Sequence, residues 1–191
     1  EEDCAQKACA PDMVTDVHHA LSDDAIVLLP APQNGKQAWS AAKESTAELA
    51  WHPALVVVAA SGELGYTTGP WAYKKKDEIA PGLFGQFVSV WRQEKGKWKL
   101  LFDLGAENPK PAESAAPLQT VNLPAPNDGK SGATLAEVFA RDRSYREGLP
   151  GSFSAMAVDD VRLLRAADTP VLGEKAASEL LAKWKGTAPF G

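Results

Sequence analysis

Apolar and polar positions in this chain fall into blocks with two different periods. Leu55 to Ala60 is uninterruptedly apolar, the pattern of a central strand buried on both faces. Glu63 to Tyr73 is rich in glycine, threonine and aromatic residues and reads as a second strand. Phe84 to Glu94 and Lys97 to Leu104 flank Lys95-Gly96, a two-residue hairpin turn with glycine at its second position. Helical spacing takes over elsewhere. Thr134-x-x-Glu137 is a capping box ahead of Leu135, Val138, Phe139 and Tyr145. His18 and His19 fall on a helix beside Val14, Val17 and Leu21, so one of the pair points outward.

The hairpin turn fixes a register. If Glu94 pairs with Lys97, then Trp91 faces Leu100, Ser89 faces Phe102 and Phe87 faces Leu104. One face then carries Phe87, Trp91, Trp98, Leu100, Phe102 and Leu104, and has to be buried against helices. The other carries Val88, Val90, Arg92, Lys99, Leu101 and Asp103. Its centre is dry enough to meet a partner sheet, which predicts a homodimer.

Two segments read alike. Leu21 to Pro30, then Asn34 to Trp39, and Ala157 to Arg165, then Leu172 to Ala177, each show a helix end, an Asp-Asp pair, a short apolar strand, a loop and a new helix. A tryptophan follows each second helix, Trp51 and Trp184. Between the copies lie Pro109, Pro111, Pro117, Pro124 and Pro126 among Ala, Ser and Asn, a composition that nucleates no core. The expected organisation is a domain over residues 1–106, a Pro/Ala-rich linker over 107–133, and a partial second copy over 134–191 that stops where its strands would begin.

Composition narrows the partners. A net charge of −5 and a pI near 5.3 argue against nucleic acid, and the basic run Lys74-Lys75-Lys76 meets Asp77 and Glu78 at once. The longest apolar run is too short to span a bilayer. Cys4 and Cys9 could close a small loop in an oxidising compartment, and the chain begins with Glu rather than Met, as if a signal peptide or other leading segment had been removed. Together these favour a periplasmic or secreted protein over a cytoplasmic one. Cys4 and Cys9 with three histidines do not make a metal signature, and no nucleotide or phosphate-binding fingerprint calls for a cofactor.

Gly62 to Trp71 (GELGYTTGPW), Gly85 to Arg92 (GQFVSVWR) and Gly96 to Gly105 (GKWKLLFDLG) closely resemble the SnoaL-like, ketosteroid-isomerase-like group of the nuclear transport factor two superfamily. The resemblance covers about residues 12–106, and 134–184 again in part. It implies an α+β fold in which a cone-shaped, curved antiparallel sheet wraps around helices, with a partial tandem repeat. That fold hosts many unrelated activities, so it is specific for architecture and poor for function. The aspartate base of its best-known proton transfer would fall at Leu29, and at Arg165 in the partial copy, and neither is a carboxylate.

Such a cone implies an apolar cavity, which predicts a module binding a small apolar molecule. The alternatives are a SnoaL-like lyase or isomerase acting on a small hydrophobic compound, and a dimerisation or interaction module. Trp51, Tyr66, Trp71 and Trp91 are the candidate ligand-binding residues. Tyr66, Asp103 and His52 are the candidates for chemistry: a Tyr hydroxyl beside a protonated Asp makes an oxyanion hole, a device known from ketosteroid isomerase. The register above sets Asp103 on the mixed face with Arg92 and Lys99. Asp23-Asp24, recurring as Asp159-Asp160, reads as a turn or cap rather than a paired acid–base site.

Overall fold

The computed structural model describes residues 13–28, 31–41, 47–110, 118–124, 134–148, 151–166 and 168–183. Cys4, Cys9, Leu29 and Trp184 lie outside these residues. The chain divides into two compact units, Glu1–Ala125 with Arg165–Thr169, and Pro126–Leu164 with Pro170–Gly191.

The first unit is a mixed α+β structure with a curved, unclosed sheet. Its elements are α1 (Met13–Ala20), β1 (Leu21–Leu28), β2 (Pro32–Asn34), α2 (Gly35–Ala41), β3 (Glu48–Trp51), β4 (Leu55–Val58), β5 (Leu64–Lys74), β6 (Leu83–Glu94), β7 (Lys97–Asn108) and β8 (Gln119–Asn122). The sheet order is β2-β1-β7-β6-β5-β4-β8, with β3 pairing the other half of β5. Neighbours run antiparallel except β1 beside β7 and β8 beside β4. The Lys95-Gly96 turn has φ of +50° and +80°, the left-handed pair that a tight hairpin requires.

One face of this sheet carries the helices. Leu21, Ala25, Val27 and Leu100 form the buried core, and Val17 of α1, Ala38 and Trp39 of α2, and Trp91 pack against it. Asn34 caps α2, its Oδ1 accepting from the Gln37 amide at 3.1 Å. Gly35 opens that helix directly over the core: a Cβ there would stand 2.9 Å from Leu21 Cδ2, so only glycine lets α2 approach this closely.

The β6–β7 register departs from the simple hairpin. Trp91 pairs with Leu100 as expected, but Val90 pairs with Phe102 and Ser89 with Asp103, because Leu101 is an extra residue in β7. Past this bulge every β7 side chain changes sides. Phe102 and Leu104 move to the outer face with Val88 and Val90, and Asp103 moves to the helix-bearing face. The expectation of Asp103 on the mixed face is therefore corrected.

At the same level β1 is irregular, its pairing with β7 shifting between Leu21 and Ile26. The Asp-Asp pair lies in this stretch of strand, not in the turn or cap expected of it. Arg92 fills the gap, donating to Asp24 Oδ1 and Oδ2 at 2.7 and 3.2 Å and to Glu94 Oε1 at 2.6 Å, with buried Ser22 Oγ accepting at 2.8 Å. Lys36 pairs with Asp23. Hydrogen bonding to Arg92 and Ser22 lowers the Asp24 carboxyl to about 2, and the Glu94 carboxyl is also lowered by its bonds to Ser22 and Arg92. A depressed carboxylate pKa adds stability above the ordinary value, and that contribution is lost as pH falls from about 4 towards 2.

Two further expectations change. Leu55 to Val58 is not central: β4 sits between β5 and the edge strand β8. Residues 107–133 are not all linker, because Glu107 and Asn108 complete β7 and Gln119–Asn122 form β8.

The second unit contains α3 (Leu135–Gly148), α4 (Phe153–Met156), β9 (Arg162–Leu163), β10 (Val171–Leu172) and α5 (Glu174–Ala182). The capping box closes α3 at both ends of its reciprocal pair, Thr134 Oγ1 accepting from the Glu137 amide at 3.2 Å and Glu137 Oε2 from the Thr134 amide at 2.6 Å. Phe153, Ala177 and Leu181 are its buried core. The order here is α3-α4-β9-β10-α5, with β9 and β10 paired antiparallel.

Leu21 is only 1% exposed at the junction of α1, α2 and β7. Leu21→Ala is expected to cost about 2–5 kcal/mol of stability, read as a lowered denaturant midpoint at constant slope. An unchanged midpoint would place the core elsewhere.

Candidate functional site

Beyond the packed core the helix-bearing face opens into a cavity of about 350 Å³. Its walls are Val56, Val57 and Val58 of β4, Gly65, Tyr66 and Thr67 of β5, Trp91 of β6, Trp98 of β7, and Ala20 at the end of α1. These positions meet because Trp91 pairs with Gly65 on one side, and Gly65 with Val58, so a bulky indole faces a glycine and leaves space. Trp98 is 42% exposed, the only lining residue besides Tyr66 that counts as an exposed large hydrophobic. Among the described residues no Asp, Glu, Lys, Arg or His lines the cavity.

The polar groups nearby are largely committed. The Trp91 indole N–H donates to Thr67 Oγ1 at 3.1 Å. Thr67, Ser89, Asp103 and Val27 make one row across β5, β6, β7 and β1. Within it Ser89 Oγ donates to Asp103 Oδ1 at 2.7 Å. Burial pushes the Asp103 carboxyl above its ordinary range, and the Ser89 bond opposes this in part. Asp103 stands two strands from Thr67, roughly 10 Å at the usual ladder spacing. A ligand against Thr67 would not reach it directly.

The expected residues therefore separate. Trp91 lines the cavity, and Tyr66 borders it from its strand. Tyr66 pairs with Val90 on β6, one position out of step with Thr67, so its side chain belongs to the face opposite Asp103. The proposed Tyr66–Asp103 oxyanion pair is corrected: the two are not brought together. Trp51 and Trp71 are register partners at the β3 end of β5, and neither is among the lining residues. The Trp71 ring lies over Gly85, where a Cβ would come within 2.3 Å of it, and its indole N–H donates to the Gln86 carbonyl at 3.2 Å. His52 is exposed at the break between β3 and β4, its amide donating to the Pro70 carbonyl, and it too lies outside the cavity.

Trp98, Thr67 and the three valines of β4 were not singled out by sequence. Trp98 could have been, since Glu94 pairing with Lys97 already sets it on the same face as Trp91. Among the described residues no group of three or more His, Cys, Asp or Glu side chains is placed to hold a metal ion. No helix among them is long and apolar enough to cross a membrane.

A larger groove of about 540 Å³ runs along the start of α5 in the second unit, lined by Asp159, Leu172, Gly173, Glu174, Lys175 and Glu179. Asp159 and Glu179 face solvent, and Glu174 Oε1 is engaged, accepting from Ser178 Oγ at 2.6 Å. The smaller cavity, with aromatic walls, is the better candidate for holding a ligand.

No family model matches the chain, and no curated protein matches it. Solved structures do. An NTF2-like protein of unknown function from Shewanella oneidensis is similar at 15% identity, over 55% of this chain and 91% of that one, with a TM-score of 0.45. A protein of unknown function with a cystatin-like fold from Nostoc punctiforme is similar at 12% identity, over 58% and 90%, with a TM-score of 0.46. An NTF2-like protein with a cystatin-like fold from Novosphingobium aromaticivorans is similar at 13% identity, over 56% and 75%, also at 0.46.

The raised Asp103 pKa has a defined sign. The folded state holds this proton more tightly than the unfolded chain, whose value is near 3.8. Its contribution is thus full below that pH and is lost as pH rises through the folded-state value. Asp103→Asn is expected to unfold at a higher denaturant concentration than the wild type at pH 7, the two converging near pH 3. A gap that stays constant across this range would show that Asp103 is solvated.

Proposed function

We propose that the first unit is a small-molecule-binding module whose ligand is uncharged, apolar and flat enough to lie between Trp91 and Trp98. The carrying observation is a cavity walled by valines and two indoles, with no charged side chain among its described lining residues. Thr67 already accepts from Trp91, so affinity would come mainly from apolar burial and aromatic contact rather than from a network of directed bonds. The neutral fluorescent probe N-phenyl-1-naphthylamine should bind with enhanced emission. Trp98→Ala should weaken that binding about 5–20-fold, one aromatic contact being worth roughly 1–2 kcal/mol, while the unfolding midpoint moves little because Trp98 is already half in solvent. Wild-type protein that leaves the probe's emission unchanged would refute the reading.

A second reading, acid–base chemistry of the lyase or isomerase kind on a small hydrophobic compound, is favoured by one observation: a buried carboxyl with a raised pKa, bonded to Ser89, on the same face as the cavity. Its distance from Thr67 makes it the weaker of the two.

Dimerisation belongs to the same proposal. The outer face of the sheet exposes Ile26, Leu64 and Tyr66 at 45, 44 and 37%, beside Val90 and Phe102, and a second copy is the occupant that would cover it. Sedimentation velocity should report a dimer that Ile26→Glu converts to monomer. A wild-type monomer at tens of micromolar would exclude it.

A further inference from the structure

Strand β8 has unusual support. All four of its residues, Gln119–Asn122, are exposed, and so are Leu118 and Leu123 beside them. No side chain of β8 is buried, and its backbone ladder runs along β4. The Gln119 amide donates to the Ala54 carbonyl at 3.0 Å and the Leu123 amide to the Val58 carbonyl at 2.9 Å. The register runs Leu55↔Gln119, Val56↔Thr120, Val57↔Val121 and Val58↔Asn122.

Those last three β4 residues border the cavity, Val56 and Val58 on its face with Thr67 and Gly65, and Val57 on the other face with Tyr66. On its other side β4 meets β5, whose Gly65, Tyr66 and Thr67 are also lining residues. The wall is therefore one short strand clamped between a long internal strand and an exposed strap. Elements with few buried contacts open at far less free energy than the global unfolding transition. A ligand that favours the docked wall must, by linkage, tighten the strap, and loss of the strap must weaken the ligand.

We propose that β8 is a ligand-linked strap: docked on β4 it holds the valine wall in its binding geometry, and occupancy of the cavity in turn secures β8. This rests on the binding reading above. No bond is made or broken and no partner is required.

Amide hydrogen exchange on the whole chain, with and without N-phenyl-1-naphthylamine, tests it. The Gln119 and Leu123 amides should exchange several-fold more slowly at saturating probe. Val121→Pro places a residue without an amide proton midway between those donors and touches no cavity side chain. It should speed exchange at Val56–Val58 about ten-fold or more and weaken the probe several-fold, with amides of β6 and β7 unchanged. Faster exchange at Val56–Val58 in the variant, even before any probe is added, supports the strap as the wall's support. Unchanged exchange there overturns it. Probe that binds the wild type but leaves Gln119 and Leu123 unaffected overturns the linkage while the binding reading stands. Probe that fails to bind the wild type overturns the binding reading, and the linkage with it. Should the variant not fold, the wild-type comparison with and without probe still decides the linkage.

Discussion

Leu101 is one residue more than β6 can match, and the geometry of the first unit turns on it. Trp91 and Leu100 keep the register dictated by the Lys95-Gly96 turn, while Val90 and Phe102 are already shifted. Because strand side chains alternate, a single inserted residue transfers all of the following ones to the other face. Asp103 is thereby buried beside Ser89, and Phe102 and Leu104 are sent outward. β1 answers the bulge at the same height with its own irregular stretch, Ser22 to Ala25. Leu21, Ala25 and Val27 remain inside, and the polar groups of Ser22 and Asp24 turn to Arg92.

Sequence reasoning reached the architecture because it rests on local signals. The apolar run at Leu55, the turn at Lys95-Gly96 and the capping box at Thr134 each depend on residues within a few positions of one another; the run does form a strand, and the turn and the capping box are where the pattern puts them. The site was less legible. Which β7 side chains enter the cone depends on a bulge that leaves no mark in hydropathy, since Leu101 and Leu100 are equally apolar. Trp51 and Trp71 look like ligand-binding aromatics in sequence. Trp71 is instead used structurally, its ring laid over Gly85 and its indole N–H bonded to Gln86. β8 was hidden for a different reason: it lies in a proline-rich stretch with no buried residue, so nothing about its composition distinguishes it from a linker.

The row Thr67–Ser89–Asp103 shows why the cavity and the carboxyl are better regarded as separate features. Burial makes the Asp103 carboxylate costly and raises its pKa, while its one hydroxyl partner, Ser89, opposes the rise. For catalysis the same group would need a reacting atom within hydrogen-bond range. Strand spacing sets it about two ladders from the wall at Thr67, roughly 10 Å, and the bulky Trp91 and Leu100 occupy the adjoining row. A ligand that fills the apolar mouth therefore stays clear of Asp103.

Sheet edges are where the physics of this fold is least forgiving, because an unpaired strand edge invites association with other chains. One edge ends in β2, three residues long and begun by a proline. The other begins as β3 and is interrupted at His52-Pro53 before resuming as β4, which β8 then covers along Leu55–Val58. Pro124 follows Leu123 and limits how far β8 can extend. Covering the edge with a strand that buries none of its own side chains protects β4 without cementing it. The cavity takes its valine wall from that same strand, while the packed core lies on the other side of Trp91.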